Sequence, residues 1–525
     1  MKTKNSILLF FVIFAFISLE AATYRVTPDA LGGGDGLSWA TPMTINEAIA
    51  AATTAEDIIL CKVGPYTPTA TIAISTPITF KGGLKGTDDE TLAENGERSV
   101  FDTQNNTAID NIFSVTTESG LNTFEGVEVR NAYQRGFYYK SRTSKKAASL
   151  SFKNCVFDSC GTTWYGGSFN DTTPRGAGGV FLGESEAGAT LSFDKCVFSR
   201  NKYTKSSGSA GHGIGAGFTG WKSVIIDNSL FVSNGYSSTS LRSKNSGAAL
   251  SSTRGAAIYS TSPITARNTK FIGNTAGIFS DGTHGTAGGV VYIKYASATS
   301  VFTNCLFLAN SCEHCRAGNR NANEGGVIVV RSNSSSSKKI EVVNCTFAYN
   351  FSDGQDTSAG IDIGSTGSAA YIRNTIFYGA KKSRNEKGRD IWVSSGCSAN
   401  IDYCLFDSDG GENIEKCIAG AGTKTIGSNN IFGDPRFVRA ITANEIASIM
   451  VNNGSYYGYA ADAYEKVFSK ANVHAKNRKL TVDTGDPASP YSNEPSPNGE
   501  RVNLGYYGNT PEALSSAVGM LFFVR

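Results

Sequence analysis

Long apolar runs, charge of one sign, helical periodicity and tight-hairpin signals are all scarce in this chain. Past residue 17 no stretch approaches the ~20 apolar residues that a membrane-spanning helix needs, so no transmembrane helix is expected. Charged residues make up 18% of the 525, and 48 Lys+Arg against 45 Asp+Glu leave a net +3. A nucleic-acid binder concentrates basic side chains on one surface, so this balance argues against nucleic acid as a partner. One stretch, MTINEAIAAATTA (43–55), has helical character. NG and DG pairs flanked by strand-like runs are sparse, which argues against a hairpin-built β-sandwich.

The one marked apolar run lies at the start. Lys2 and Lys4 precede ILLFFVIFAFI (7–17), and small residues Ala21 and Ala22 follow. A basic segment, a short apolar core and small residues predict a secretion signal over 1–22. The mature protein is therefore expected outside the cell, secreted or at the cell surface, with no membrane span, and as a monomer.

What is abundant is a repeat. NCVFDSC (154–160), KCVFSRN (195–201), NSLFVSN (228–234), NTKFIGN (268–274), NCLFLAN (304–310), NCTFAYN (344–350), NTIFYGA (374–380) and YCLFDSD (403–409) share one motif. Their phenylalanines, from Phe157 to Phe406, are separated by 41, 33, 40, 36, 40, 30 and 29 residues. Periods of this length mark solenoids.

In every copy but that of Phe271 a second large apolar residue lies five positions before the Phe, as in Phe152/Phe157 and Phe193/Phe198. In a straight strand an odd separation puts two side chains on opposite faces. Both point inward if the chain bends between them. The bend candidates are Asn154, Asn228, Asn268, Asn304, Asn344 and Asn374, with Gly126 in an earlier copy and Lys195 and Tyr403 as departures. Asn is the non-glycine residue that best tolerates the left-handed backbone of such a bend. The next slot holds Cys155, Cys196, Ser229, Thr269, Cys305, Cys345, Thr375 and Cys404. That mixture asks for a small side chain, so these cysteines are expected as buried free thiols.

A third strand with small residues at its start completes each unit: GAGGVFLG (176–183), GAAIYS (255–260), AGGVVYIK (287–294), EGGVIVV (324–330) and SAGIDI (358–363). Three short strands per coil predict an all-β parallel β-helix, with a ladder of bend-Asn amides. Length differences fall in loops such as 200–213 and 311–323. Residues 23–60 read as a cap strand and helix, 61–438 as the β-helix, and 439–525 as a C-terminal cap or appendage.

The alternation of GG[AV][IV]-like strands with FxxN resembles the repeats of chlamydial polymorphic outer membrane proteins. GGGDGLSWATPMTINEAIAAA (32–52), GGLKGT (82–87) and VDTGDPASPYSNEPSPNGERVNLGYYGNTPEA (482–513) are similar to the ends of exported bacterial β-helix proteins of the pectin-lyase-like superfamily. The resemblance implies a right-handed parallel β-helix and an extracellular setting, and specifies no activity.

Chemistry is less legible. GHG (211–213) places His212 beside no opposed carboxylates; the one DD pair, Asp88-Asp89, is far upstream, and glycoside hydrolysis takes two carboxylates. Arg254, Arg267, Lys294 and Arg373 are the cations a lyase could use, but every coil exterior carries such residues. CEHC (312–315) offers Cys312, His314 and Cys315, short of four zinc ligands, and reads as a local disulfide or free thiols. SDGQD (352–356), DSDGG (407–411) and VDTGD (482–486) supply oxygen donors for Ca²⁺ without completing a calcium loop, so no cofactor is expected. Trp164, Tyr165 and Trp221 are the aromatic candidates for sugar binding. The favoured function is an adhesin-like, carbohydrate- or surface-binding protein without catalysis; the alternative is a lyase or hydrolase acting on uronic-acid-containing polysaccharide.

Overall fold

The computed structural model describes residues 21–516, apart from 88–89, 94–95, 141–147, 162–178, 184–187, 204–210, 237–252, 279–288, 295–297, 315–324, 332–338, 353–356, 365, 383–387, 409–412, 453–456 and 461. Most of the expected signal sequence, 1–20, half of the loop at 200–213 and most of that at 311–323 lie outside them.

The chain is a right-handed parallel β-helix. Three all-parallel sheets, of 13, 12 and 12 strands, run the length of the coil, and each turn gives one strand to each. The first sheet starts at Thr23–Val26 and ends at Thr423–Ile426; the second runs from Gly64–Tyr66 to Ile431–Phe432; the third from Ile72–Ile74 to Ile418–Ala419. Equivalent motif positions pair in register, for example Phe157 with Phe198 and Phe307 with Phe347.

The one-residue bend is present at every expected position. Asn154, Asn228, Asn268, Asn304, Asn344 and Asn374 have φ between 50 and 52°. Gly126 has φ 64°, and the two departures comply as well, Lys195 at 54° and Tyr403 at 53°. The bend turns both members of each five-residue pair inward: Phe152, Phe157, Phe193 and Phe198 are buried. The motif phenylalanines form a column, with Phe157–Phe198 centroids at 4.7 Å, Phe198–Phe231 at 4.3 Å and Phe307–Phe347 at 4.5 Å.

The slot after the bend has one chemistry. Its side chain donates to the carbonyl two residues back: Cys155 to Lys153, Ser229 to Asp227, Thr269 to Arg267, Cys345 to Val343 and Thr375 to Arg373. Thiol and hydroxyl serve alike, which explains the mixture. Cys155, Cys196, Cys305, Cys345 and Cys404 are buried free thiols.

The amide ladder forms at a different row from the one expected. Bend asparagines make a single weak rung, Asn268 to Asn228 at 3.4 Å. The trailing asparagines make the ladder: Asn201, Asn234, Asn274, Asn310 and Asn350 pass side-chain N–H to side-chain oxygen at 2.9, 2.9, 3.0 and 3.1 Å. Left-handed backbone at the bend aims its side chain away from the core, whereas the trailing side chain is enclosed. Each trailing Asn also donates to a Phe carbonyl one coil back, as Asn274 does to Phe231 at 2.9 Å.

Where that slot is Asn, a fourth short strand follows it at once. Lys202–Tyr203, Gly235–Tyr236, Thr275–Ile278, Ser311–His314 and Phe351–Ser352 make a five-stranded parallel sheet absent from the three-strand expectation. The ladder fixes the position of the preceding residue in all five coils, so the residues after it reach pairing distance.

At the N-terminus, a helix at Ile45–Ala51 packs Met43, Ile45 and Ile49 on the core end. Thr44 and Glu47 close a reciprocal capping box at its start. The C-terminal part, from 437 onward, lies along the outer face of the second sheet. There Leu230, Val232, Ile272, Leu306, Leu308, Ile376 and Leu405 point out of the coil and are covered by residues such as Phe437, Ile449, Phe468 and Leu504.

Candidate functional site: a cleft between the bend row and the C-terminal cover

A left-handed bend presents its side chain on the outside corner between the first and second sheets. Along the last coils this corner is covered. Asn304 donates to the carbonyls of Tyr506 and Gly508, Asn344 to Gly508, and Asn374 to Ser489, while Arg373 pairs with Asp486 at 2.8 Å. Two coils earlier the cover stops, and Asn228 and Asn268 are exposed.

An open cleft of about 820 Å³ lies at that step, within the range of small-ligand sites. The coil contributes Asn228, Arg267, Asn268 and Lys270; the cover contributes Asn493, Tyr506, Tyr507, Asn509 and Glu512. Arg267 is held on both Asp227 oxygens at 2.8 Å, and this bond raises its pKa. The Lys270 ammonium lies 5.8 Å from the centre of the Tyr506 ring, a cation–π contact. Tyr506 and Tyr507 meet edge-on with centroids 4.8 Å apart. Burial pushes both phenol pKa values up, so both hydroxyls are neutral donors.

The two tyrosines sit on a loop with tied ends. Glu494, 6% exposed, accepts the backbone N–H of Asn503 at 2.8 Å and of Asn509 at 2.7 Å with the same oxygen. Burial raises its pKa, and the two N–H bonds pull it back. The Asn503 side chain secures Asp483 N–H and the Leu514 carbonyl. The loop is thus held as one unit against the coil.

Of the residues singled out in the sequence, Arg267 lines this cleft and the others go elsewhere. Trp164 and Tyr165 lie outside the described residues. Trp221 is a core residue: it is 3% exposed, its indole N–H donates to the Leu182 carbonyl at 3.0 Å, and its ring packs on Tyr139. That leaves no ring face for a sugar, which corrects its reading as an aromatic platform. His212 is on the short strand Gly211–His212, in register with Arg254; its side chain is outside the described set, as are Asp88 and Asp89.

Arg254 and Lys294 lie on neighbouring strands of the third sheet, with Arg254 in register with Gly289. Arg254 lies over the Tyr292 ring at 5.6 Å, and Lys294, buried, pairs in register with Arg331. Tyr259 and Tyr292 stack beside them at 5.8 Å. Arg267 and Arg373 are the outward cations at the bend corner already described.

Cys312 is buried in the fourth sheet, while Cys315 and the His314 side chain are outside the described residues. Asp483 and Asp486 spend their oxygens on Gly499 N–H, Ser516 and Arg373, as turn and anchor groups. Asp407 accepts Gly379 N–H, and most of 352–356 and 407–411 is outside the described set. Among the described residues no three His, Cys, Asp or Glu side chains gather as a metal site, and no helix is long and apolar enough to cross a membrane.

No family model matches the chain, and no curated protein matches it. Solved structures do. Pectate lyase Pel9A is similar at 15% identity over 92% of this chain and 96% of that one, with a TM-score of 0.42. The Agl-KA catalytic domain matches at 15% identity, 77% and 68% coverage and TM-score 0.36. A mannuronic acid specific polysaccharide family 6 lyase from human gut microbiota matches at 9%, 76% and 91%, and 0.30. The likeness is one of fold. It brings no activity with it.

The tyrosine cleft was missed in the sequence because its two walls are some 200 residues apart, as in the Asn304–Tyr506 contact. One signal pointed to it. In three of the copies from Leu230 onward both residues flanking the motif Phe are large and apolar (LFV, LFL, IFY), marking an outer face that something covers.

Proposed function

We propose that this protein is an exported, surface-associated β-helix that binds a polysaccharide in the cleft beneath Tyr506 and Tyr507, without turning it over. The observation that carries the reading is the lining: two ordered aromatic rings, asparagine amides and a lysine. Rings offer apolar sugar faces a platform, and amides pair with hydroxyls. Glu512 is the one carboxylate among the described lining residues, whereas glycoside hydrolysis employs two. A screen of immobilised polysaccharides and cell-surface material, with reducing sugar followed in parallel, tests this. Retention without sugar release is expected; a blank screen sinks it.

A second reading rests on the third sheet, where Arg254 and Lys294 flank Tyr292. Cations beside aromatic rings suit a uronate chain, and a lysine or arginine can act as the base in elimination. Incubation with pectate and alginate tests it. Unsaturated ends that disappear in Lys294→Ala would replace the binding reading with a lyase.

A further inference from the structure

The charges around the cleft cancel. The Arg267 guanidinium is taken up by Asp227 on both oxygens. Asp194 holds the Asn228 amide at 2.8 Å, so a further carboxylate stands behind that wall. The coil wall also carries Lys270, and the cover wall carries the carboxylate of Glu512, so with Asp227 on Arg267 the formal charges of the lining balance. A polyanion is drawn to a surface of one sign. Here it would meet Asp227 on Arg267 and the Glu512 carboxylate in the lining, and the ammonium of Lys270 is already engaged with the Tyr506 ring.

What the cleft does offer is neutral. Both tyrosines keep their protons, and Asn268 and Asn493 supply groups that donate and accept. We infer that this cleft selects an uncharged, hydroxyl-rich glycan chain, and that the Tyr506–Tyr507 loop, positioned by Glu494, carries the selection. The inference rests on the cleft being the binding site. It also sets the cleft apart from the cationic third-sheet face: one chain would carry two glycan-facing surfaces of different charge preference.

Affinity electrophoresis of the full chain tests it, in gels containing galactomannan, xyloglucan or arabinan against gels containing polygalacturonate or alginate, each at low and high salt. Retardation by at least one neutral polymer, unchanged by salt, is expected. Tyr507→Ala and, from the coil side, Lys270→Ala should each weaken it roughly ten-fold or more. Glu494→Ala should weaken it and Glu494→Gln restore it, since Gln keeps the accepting oxygen; a residue needed only for folding would not separate these two. Retardation confined to the anionic gels, weakened by salt and lost in Lys270→Ala, overturns the neutral preference and leaves the cleft as the site. Retardation by none of the polymers, or retardation indifferent to both cleft variants, removes the cleft as a binding site and the inference with it.

Discussion

The Asn234 side chain donates to the Asn274 side-chain oxygen at 2.9 Å, and the Asn234 backbone N–H reaches the same oxygen at 3.1 Å. Two residues forty positions apart thereby lock two coils, and the same pattern recurs from Asn201 to Asn350. Both residues are buried, so water cannot substitute for either.

Asn274→Ala strips the acceptor from two buried donors and the donor from the Phe231 carbonyl. Unsatisfied buried groups each cost roughly 1–3 kcal/mol. A loss of about 3 kcal/mol or more is expected in urea unfolding. Asn228→Gly, at an exposed bend with φ 51°, keeps the favoured backbone and should change stability by less than about 0.5 kcal/mol. Equal losses in the two variants would contradict the assignment of the ladder to the trailing row.

Lys195 occupies a left-handed bend that asparagine or glycine fills elsewhere, and its side chain is exposed. Lys195→Gly relieves roughly 1 kcal/mol of backbone cost, offset in part by unfolded-chain entropy. A small gain in melting temperature is expected, and a clear fall would count against the shared bend geometry.

The slot cysteines should be silent in the folded state. Burial pushes the Cys404 thiol up to about 12, so a thiolate-directed reagent finds no nucleophile at mildly alkaline pH. Cys155, Cys196, Cys305, Cys345 and Cys404 should titrate once the unreduced chain is denatured. Cys345→Ser keeps the donor to Val343 and should be tolerated far better than Cys345→Leu, which overfills the site by about 1–3 kcal/mol.

His474 packs edge-on to Tyr507, and burial lowers its pKa, with Glu512 pulling weakly the other way. Protonation is easier in the unfolded chain. The contribution to stability is therefore intact above the unfolded value of about 6.5 and is lost as pH falls through the lower folded value. Thermal unfolding of the C-terminal cover should shift down over that window, and His474→Gln should flatten the shift. An unchanged slope in the variant would assign the acid sensitivity to other groups.

Arg373→Ala removes the partner of Asp486 and loosens the cover from the coil. Limited proteolysis should then cut first within the residues beyond 437, leaving the coil intact. Cleavage beginning in the coil would speak against the cover as a separately released layer.

The repeat alone determined the coil. Each bend, each inward Phe and each slot thiol recurs in register one period away, so regular spacing and residue type suffice to place them. The fourth sheet was less legible, because the trailing Asn reads as a turn residue until its side chain is seen to be enclosed. The cover and its cleft were decided by tertiary structure. Asn304 meets Tyr506 across some 200 residues that share no period, and a pairing of non-repeating segments leaves no regular mark in the chain. The apolar residues beside Phe231, Phe307 and Phe377 announced that an outer face would be covered. Which segment covers it, and where it stops short to leave Tyr506 against Lys270, is fixed by the packing of that segment against the finished coil.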